Sequence, residues 1–108
     1  MENFLKETIH ALKSNGKEPK DVLWVGSLDG KYADTWDRFS KLADFEYYNY
    51  PDSSCVSLQL AIVGDGWWLE RHEHAACQCW KYKSCPVKKV GTAPLTVVNV
   101  KIWDAVNE

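Results

Sequence analysis

Two histidines and two cysteines lie close together in the second half of the sequence, and they are the residue types that bind transition metals. His72 and His74 alternate along the chain, and Cys77 and Cys79 alternate after Ala75-Ala76. If the two alanines form the loop of a β-hairpin, His74 lies opposite Cys77. His72 then lies opposite Cys79, and all four side chains share one face of the hairpin. Two imidazoles and two thiolates complete a tetrahedral zinc site, so a small zinc-binding domain is one interpretation of this chain.

Other features of the same segment argue against a metal. The spacing differs from the Cys-x-x-Cys of zinc knuckles, and Ala-Ala is a poor sequence for a type I′ turn. Cys85 is a further thiol that could replace one ligand, but reduced cysteines also pack as small hydrophobic residues. A disulfide between Cys77 and Cys79 is not expected, because alternate residues of a strand lie near the ~7 Å limit for bridging. The leading expectation is therefore no cofactor, with zinc as the alternative.

A cysteine hydrolase would need a nucleophile, a base and an orienting acid. Either Cys77 or Cys79, with a neighbouring histidine and with Glu70 or Glu73, supplies these residue types. The sequence shows no nucleophile elbow, no glycine-rich phosphate loop and no separated pair of catalytic acids. The segment Gly64-Asp65-Gly66 is explained by a turn without any ligand. We therefore expect a protein that is not an enzyme.

The size and charge of the chain limit its class. Its 108 residues fit a single domain, residues 1–108, and carry 13 basic against 15 acidic side chains for a formal charge of -2. This balance is not that of a basic nucleic-acid binder, so no direct binding of nucleic acid is expected. The amino terminus does not resemble a signal peptide, and no apolar run approaches the ~18 residues of a membrane span. We expect a cytoplasmic protein that makes no contact with membranes.

Two short helices are predicted from apolar residues at helical spacing. The first follows Asn3, which is a good N-cap, and ends at the turn sequence Ser14-Asn15-Gly16. The second is capped by Asp34, and a buried strand over residues 21–26 lies between the two helices. The apolar faces of the helices contain Phe4, Leu5, Thr8, Ile9 and Leu12 in the first, and Trp36, Phe39, Leu42 and Ala43 in the second.

Strands follow the second helix. Residues 56–63 alternate between apolar and polar, and Asp65-Gly66 predicts a two-residue turn into a second strand, in which Trp67, Leu69 and Arg71 share one face. A third strand begins at Cys77. The fold class is therefore α+β: two short helices with one strand between them, followed by a single antiparallel sheet of about four to five strands.

The carboxyl-terminal part of the chain predicts one more strand. Residues 87–94 contain two lysines, a glycine and a proline and form a linker, after which residues 95–103 alternate with apolar residues on both faces. Such a strand either covers the domain's own core or pairs with a second copy at a sheet edge. The second arrangement would make the protein a homodimer.

A tyrosine-rich segment over residues 45–54 is a candidate for binding a partner. Its turn residues predict a surface loop, and exposed tyrosines are favoured in protein interfaces. The alternative is a loop that folds its rings back onto the domain. The candidate contact residues are Asp44, Glu46, Tyr47, Tyr48, Tyr50 and Asp52.

Several segments of the chain resemble a family of small proteins encoded by phages and prophages of Gram-positive gut bacteria. The most specific segment is residues 62–73, Ile-Val-Gly-Asp-Gly-Trp-Trp-Leu-Glu-Arg-His-Glu. The likeness covers about residues 4–86, and in the family pattern an Asp-Gly turn stands where this chain has Ala75-Ala76. The supporting matches are Gly16-Lys17, Asp21 to Gly26, Phe39, Leu42-Ala43, Trp80 to Lys83 and Pro86.

The resemblance implies the hairpin register assumed above, and it implies that His74, Cys77 and Cys79 depart from the family's usual residues. It also implies a phage accessory protein that acts by binding a host protein. Inhibitors of bacterial defence systems, including anti-CRISPR proteins, are the best-known class of this kind. The expected partner is a CRISPR-associated or other defence nuclease, whose basic channel would receive the acidic tyrosine segment.

Overall fold

A computed structural model describes residues 2–47, 56–74 and 77–98 of the chain. It confirms the α+β class, with two helices and two antiparallel sheets. The helices are α1 (Phe4–Ser14) and α2 (Trp36–Leu42), and a single 3-10 turn spans Pro19–Asp21. The strands are β1 (Glu2–Asn3), β2 (Val22–Ser27), β3 (Ala33–Asp34), β4 (Glu46–Tyr47), β5 (Leu60–Gly64), β6 (Trp67–His74) and β7 (Cys77–Ser84).

The larger sheet contains five strands in the order β3-β2-β5-β6-β7. A separate two-stranded ribbon pairs β1 with β4, Glu2 lying opposite Tyr47 and Asn3 opposite Glu46. The sequence predicted a single sheet. Two-residue strands are too short to show the period of two by which strands are recognised, so the ribbon left no pattern in the sequence.

The hairpin between β5 and β6 forms with the predicted register. Val63 lies opposite Trp68 and Ala61 opposite Glu70, which places the turn at Asp65-Gly66, where Gly66 has a positive φ of 79°. Gly64 is required for a different reason: a Cβ on this residue would lie 2.0 Å from Cε2 of Trp67. The absence of a side chain at Gly64 therefore lets the ring of Trp67 pack directly on β5.

The two helices begin at hydrogen-bonded caps. The side chain of Asn3 accepts a hydrogen bond from the backbone N–H of Lys6 at 3.0 Å, as predicted. The prediction that Asp34 caps α2 is wrong by one residue, because Thr35 Oγ1 accepts the bond from the backbone N–H of Arg38 at 3.2 Å. Asp34 instead lies in β3, opposite Val25 of β2, and its carboxylate forms an ion pair with the Arg38 side chain at 2.8 Å.

Both helices pack on one face of the larger sheet, which we call the inner face. Phe4 is at the centre of this core, with its ring 6.1 Å from Phe39, 5.6 Å from Tyr47 and 5.6 Å from Trp80, between ring centroids. Aromatic pairs of this kind contribute about 0.5 to 1.5 kcal/mol each beyond the area that they bury. The apolar core residues that are buried include Phe4, Leu12, Val25, Phe39, Ala43, Tyr47, Val56, Ile62, Trp67 and Leu69.

Two predicted strands differ from the observed ones. The strand predicted over residues 56–63 begins only at Leu60, because Ser57 Oγ accepts a hydrogen bond from the backbone N–H of Gln59 and turns the chain. Residues 92–98 belong to no helix or strand, so the predicted strand over residues 95–103 is not formed at its start, and its remainder lies outside the described residues. In the described parts of the chain, no helix is long and apolar enough to cross a membrane.

Candidate functional site

The β6-β7 hairpin aligns the predicted metal-binding residues as the sequence indicated. His74 lies opposite Cys77, and His72 lies opposite Cys79. Arg71 and its alternate neighbours on β6 face the helices, so His72 and the two cysteines belong to the opposite, outer face of the sheet. Cys77 and Cys79 are both exposed.

The register alone does not assemble a metal centre. Among the side chains that the structure describes, no group of three or more His, Cys, Asp or Glu residues is arranged to hold a metal ion, and the side chain of His74 lies outside that description. The sequence offers Cys85 as a replacement ligand, but its backbone N–H donates to the Gly66 carbonyl at the far end of the hairpin. It is six strand residues from Cys79, or ~20 Å, so it is too distant to complete the same site.

The tyrosine-rich candidate site is only partly as predicted. Tyr47 is not in a surface loop: it is 4 % exposed, in strand β4, with its ring against Phe4. The pairing of Tyr47 with Glu2 in the small ribbon turns the ring into the core, and this long-range pairing could not be predicted locally. Asp44 and Glu46 are exposed. The other three predicted contact residues, Tyr48, Tyr50 and Asp52, lie outside the described residues.

A buried ion pair connects α1 to the sheet. The side chain of Arg71 is 0 % exposed, and its Nη1 donates to Oε2 of Glu7 at 2.6 Å. Its Nη2 donates to the hydroxyl of Tyr47 at 3.0 Å, and that hydroxyl donates in turn to Oε1 of Glu7 at 2.5 Å. The three side chains come from β6, α1 and β4, so the network connects the helical layer, the small ribbon and the large sheet.

Two aromatic rings complete the surroundings of the Arg71 guanidinium. Its Cζ lies 5.1 Å from the ring centroid of Phe4 and 4.9 Å from that of Trp80, and both contacts are cation–π interactions. The Trp80 indole N–H donates to Thr8 Oγ1 at 2.9 Å, and the Thr8 hydroxyl donates to the Phe4 carbonyl at 2.8 Å. Arg71 Nε is buried and has no hydrogen-bond partner in the part of the chain described.

The electrostatics of this network favour a structural role. Burial, followed by the hydrogen bond that it donates to Glu7, raises the pKa of the Tyr47 hydroxyl well above its usual value of 10.0, so the group stays protonated and acts as a donor. The carboxylate of Glu7 is neutralised by Arg71 and bound by both donors. The sequence placed Arg71 on the apolar face of its strand with Trp67 and Leu69, and that position was the available signal for a buried partner.

The outer face of the larger sheet carries a shallow apolar groove. Its central strands place Trp24, Val63 and Trp68 there, each half-buried, together with Ala61, which is buried, and both described helices lie on the opposite face. The groove has a volume of about 360 Å³. Its lining residues are Trp24, Leu28, Ala61, Val63, Trp68 and Glu70.

A polar contact fixes one wall of this groove. The Trp68 indole N–H donates to Oε1 of Glu70 at 3.2 Å, and the same carboxylate oxygen pairs with Lys83 Nζ at 2.8 Å. The hydrogen bond from Lys83, partly opposed by desolvation, lowers the pKa of Glu70 below its usual value. Trp68 is therefore held in one orientation by a carboxylate that stays ionised.

Comparison of the chain with protein-family models, with curated proteins and with solved structures gave no match. We therefore infer function from the apolar groove on the outer face of the sheet.

Proposed function

We propose that this chain is a non-catalytic protein-interaction module that binds its partner through the outer face of the larger sheet. The observation that carries the proposal is the pair of tryptophans on this face, Trp24 and Trp68, with Val63 opposite both of them in the strand register. An antiparallel sheet that faces water on one side ordinarily presents polar residues there. Tryptophan is among the residues most enriched at the energetic centres of protein interfaces.

The groove is suited to receive an apolar side chain of a protein partner. Trp68 is already fixed by Glu70, so little side-chain freedom is lost when a partner binds. Exposed apolar residues extend the surface beyond the groove near the turn that follows β2: Leu28 is 44 % exposed, Tyr32 75 % and Leu58 40 %. A second groove of about 390 Å³, which Tyr32 lines, lies beside them. Stable complexes bury roughly 800 Å² per partner, so we expect the contact to extend beyond the groove onto these neighbouring apolar residues.

The partner that we propose is a host defence protein, such as a CRISPR-associated nuclease. The support is the resemblance to small phage and prophage proteins, whose most specific segment is residues 62–73. That segment forms the hairpin of β5 and β6 and supplies Val63, Trp68 and Glu70 to the groove. The exposed carboxylates Asp44 and Glu46 belong to the helical side of the molecule and form a second candidate contact for a basic partner.

The test is a bacterial immunity assay with matched lysine variants. Leu28→Lys places a charge at the groove, and Leu42→Lys places the same charge on the helical side, on a leucine of α2 that is more exposed, 66 % against 44 %. We expect the unmodified chain to restore phage infection in at least one strain with an active defence system and to capture a component of that system. Leu28→Lys is expected to lose both effects, and Leu42→Lys to keep them. Undiminished immunity in every strain, together with no captured defence protein, would refute the proposal.

A second candidate function is a small zinc-binding domain that uses His72, His74, Cys77 and Cys79. The observation that favours it is the register, which places each histidine opposite a cysteine. Elemental analysis of the chain purified without chelator tests it, with Cys79→Ser as the variant and Cys85→Ser as the matched control. One zinc per chain that is lost only in Cys79→Ser would support the site. Metal-free protein whose folding is indifferent to chelator would eliminate it.

A further inference from the structure

We propose that the open edge of β7 accepts the carboxyl-terminal segment of a second copy of this chain, residues 95–103, as an added antiparallel strand. The proposal concerns another surface than the outer face and does not depend on the proposed function. It joins three features of the molecule: an edge strand, a groove beside that strand, and an exposed apolar segment. Strand addition at a sheet edge is an established mode of peptide recognition.

The first feature is the edge itself. β7 is the last strand of the sheet order β3-β2-β5-β6-β7, and within the described residues no strand lies beyond it. The Cys85 N–H donates to the Gly66 carbonyl at 2.8 Å, which extends the hydrogen-bond ladder between β6 and β7. This bond shows which alternate residues of β7 form backbone hydrogen bonds to β6. Alternate residues of β7 therefore direct their backbone N–H and C=O away from β6, among them Trp80, Tyr82 and Ser84. Three successive positions are thus available for main-chain pairing.

The second feature is a groove between that edge and α1. It has a volume of about 320 Å³, and it is lined by His10, Ala11 and Ser14 of the helix and by Cys79 and Trp80 of the strand, among others. An edge strand beside a helix gives an added strand both backbone partners and a recess for alternate side chains. The lysines of β7, Lys81 and Lys83, alternate with these edge-directed residues and lie on the outer face, so they do not fill the recess.

The third feature is the segment that would occupy the edge. Four large apolar residues after β7 are exposed: Val87 by 85 %, Val90 by 105 %, Leu95 by 66 % and Val98 by 86 %. Over residues 95–103 the sequence is Leu-Thr-Val-Val-Asn-Val-Lys-Ile-Trp, rich in the β-branched and aromatic residues that favour strands. Nine residues of strand span about 30 Å, which matches the eight residues of β7.

A second copy is the occupant that these features favour. Residues 95–98, the described start of the segment, pair with none of the strands that the structure describes, and Leu95 and Val98 are exposed to solvent. Exchange between two copies would give each edge one added strand, and both contacts would be identical by two-fold symmetry. Each exchange also removes an exposed edge, which is otherwise a site of aggregation.

The test measures molecular mass and amide exchange of the full-length chain with matched proline variants. Val98→Pro removes one backbone donor from the segment, and Val90→Pro makes the same change in the preceding linker. We expect the unmodified chain and Val90→Pro to have twice the 12.4 kDa mass of one chain, and Val98→Pro to have that of one chain. The amides of Trp80, Tyr82 and Ser84 should exchange about tenfold faster in Val98→Pro.

The remaining outcomes contradict the proposal. A monomeric full-length chain whose edge amides exchange rapidly shows that the edge is open. A monomer with protected edge amides that Val98→Pro exposes shows that the segment pairs within its own chain. A dimer that persists in Val98→Pro shows that the two copies meet elsewhere.

Discussion

Arg71 of β6 and Glu7 of α1 are separated by 64 positions in the sequence, yet their side chains form a 2.6 Å ion pair in which the arginine is fully buried. The hydroxyl of Tyr47 bridges the same two groups. A buried pair of this kind adds little net stability against an apolar replacement, but loss of one partner leaves a buried charge without compensation. The network therefore makes the fold sensitive to single substitutions at these positions.

Glu7→Gln is expected to destabilise the protein by about 3 kcal/mol, because the Arg71 guanidinium keeps its charge and loses the carboxylate. Glu18→Gln is the matched control: its ion pair with Lys20 is exposed, and such pairs contribute about 0 to 1 kcal/mol. Chemical denaturation of both variants measures the difference. Equal stability of the two variants would contradict a buried ion pair. The double variant Glu7→Leu with Arg71→Met should lose less stability than either single variant.

Alkaline pH is expected to destabilise the fold through Tyr47. Its pKa is raised in the folded state, so the unfolded chain loses this proton first, above about pH 10. The stability that the neutral hydroxyl contributes is complete below that pH. Above that pH, this contribution to stability falls by up to about 1.4 kcal/mol per pH unit. Tyr47→Phe should flatten this part of the stability profile, whereas Tyr32→Phe, at a 75 % exposed position, should leave it unchanged.

Gly64→Ala is expected to destabilise the protein by about 1 to 3 kcal/mol, because its Cβ would overlap the buried ring of Trp67. Gly30→Ala is the control variant that separates the effect of this clash from the effect of backbone strain. Gly30 has a positive φ of 77° and nothing within 4 Å of an added Cβ, so only the strain of about 1 to 2 kcal/mol applies there. Unfolding of both variants is followed by tryptophan fluorescence. The native spectrum should change only in Gly64→Ala, because only that substitution disturbs the ring of Trp67. An unchanged native spectrum and an unchanged midpoint for Gly64→Ala would contradict the close packing.

Thr8→Val is expected to destabilise the protein by about 1 to 3 kcal/mol, although it conserves the shape of the side chain and removes only the hydroxyl. Thr8 is 0 % exposed, and its hydroxyl is the acceptor for the Trp80 indole N–H. Thr92→Val changes the same group at an exposed position outside any element and should be neutral. Thermal unfolding of both variants provides the measurement, and a stability of Thr8→Val equal to that of Thr92→Val would refute the buried hydrogen bond.

Where the signal lies in neighbouring residues, the sequence was sufficient to predict the local structure. Asn3 and the apolar spacing behind it specify the start of α1. Asp65-Gly66 specifies the turn between β5 and β6, and with it which of Trp67 and Trp68 faces the core. The alignment of His72 with Cys79 followed from the same period of two. Capping, turn chemistry and alternation act over a few residues, so they can be read directly.

Only the tertiary structure decided how distant segments meet. The pairing of Glu2 with Tyr47 turned a predicted surface tyrosine into a core residue, because two-residue strands carry no pattern of their own. The ion pair of Glu7 with Arg71 required α1 to pack on β6. Contacts across tens of residues depend on the total burial and hydrogen bonding of the folded chain, which no local spacing records. For the same reason, the apolar groove on the outer face became evident only once both helices were seen on the opposite side.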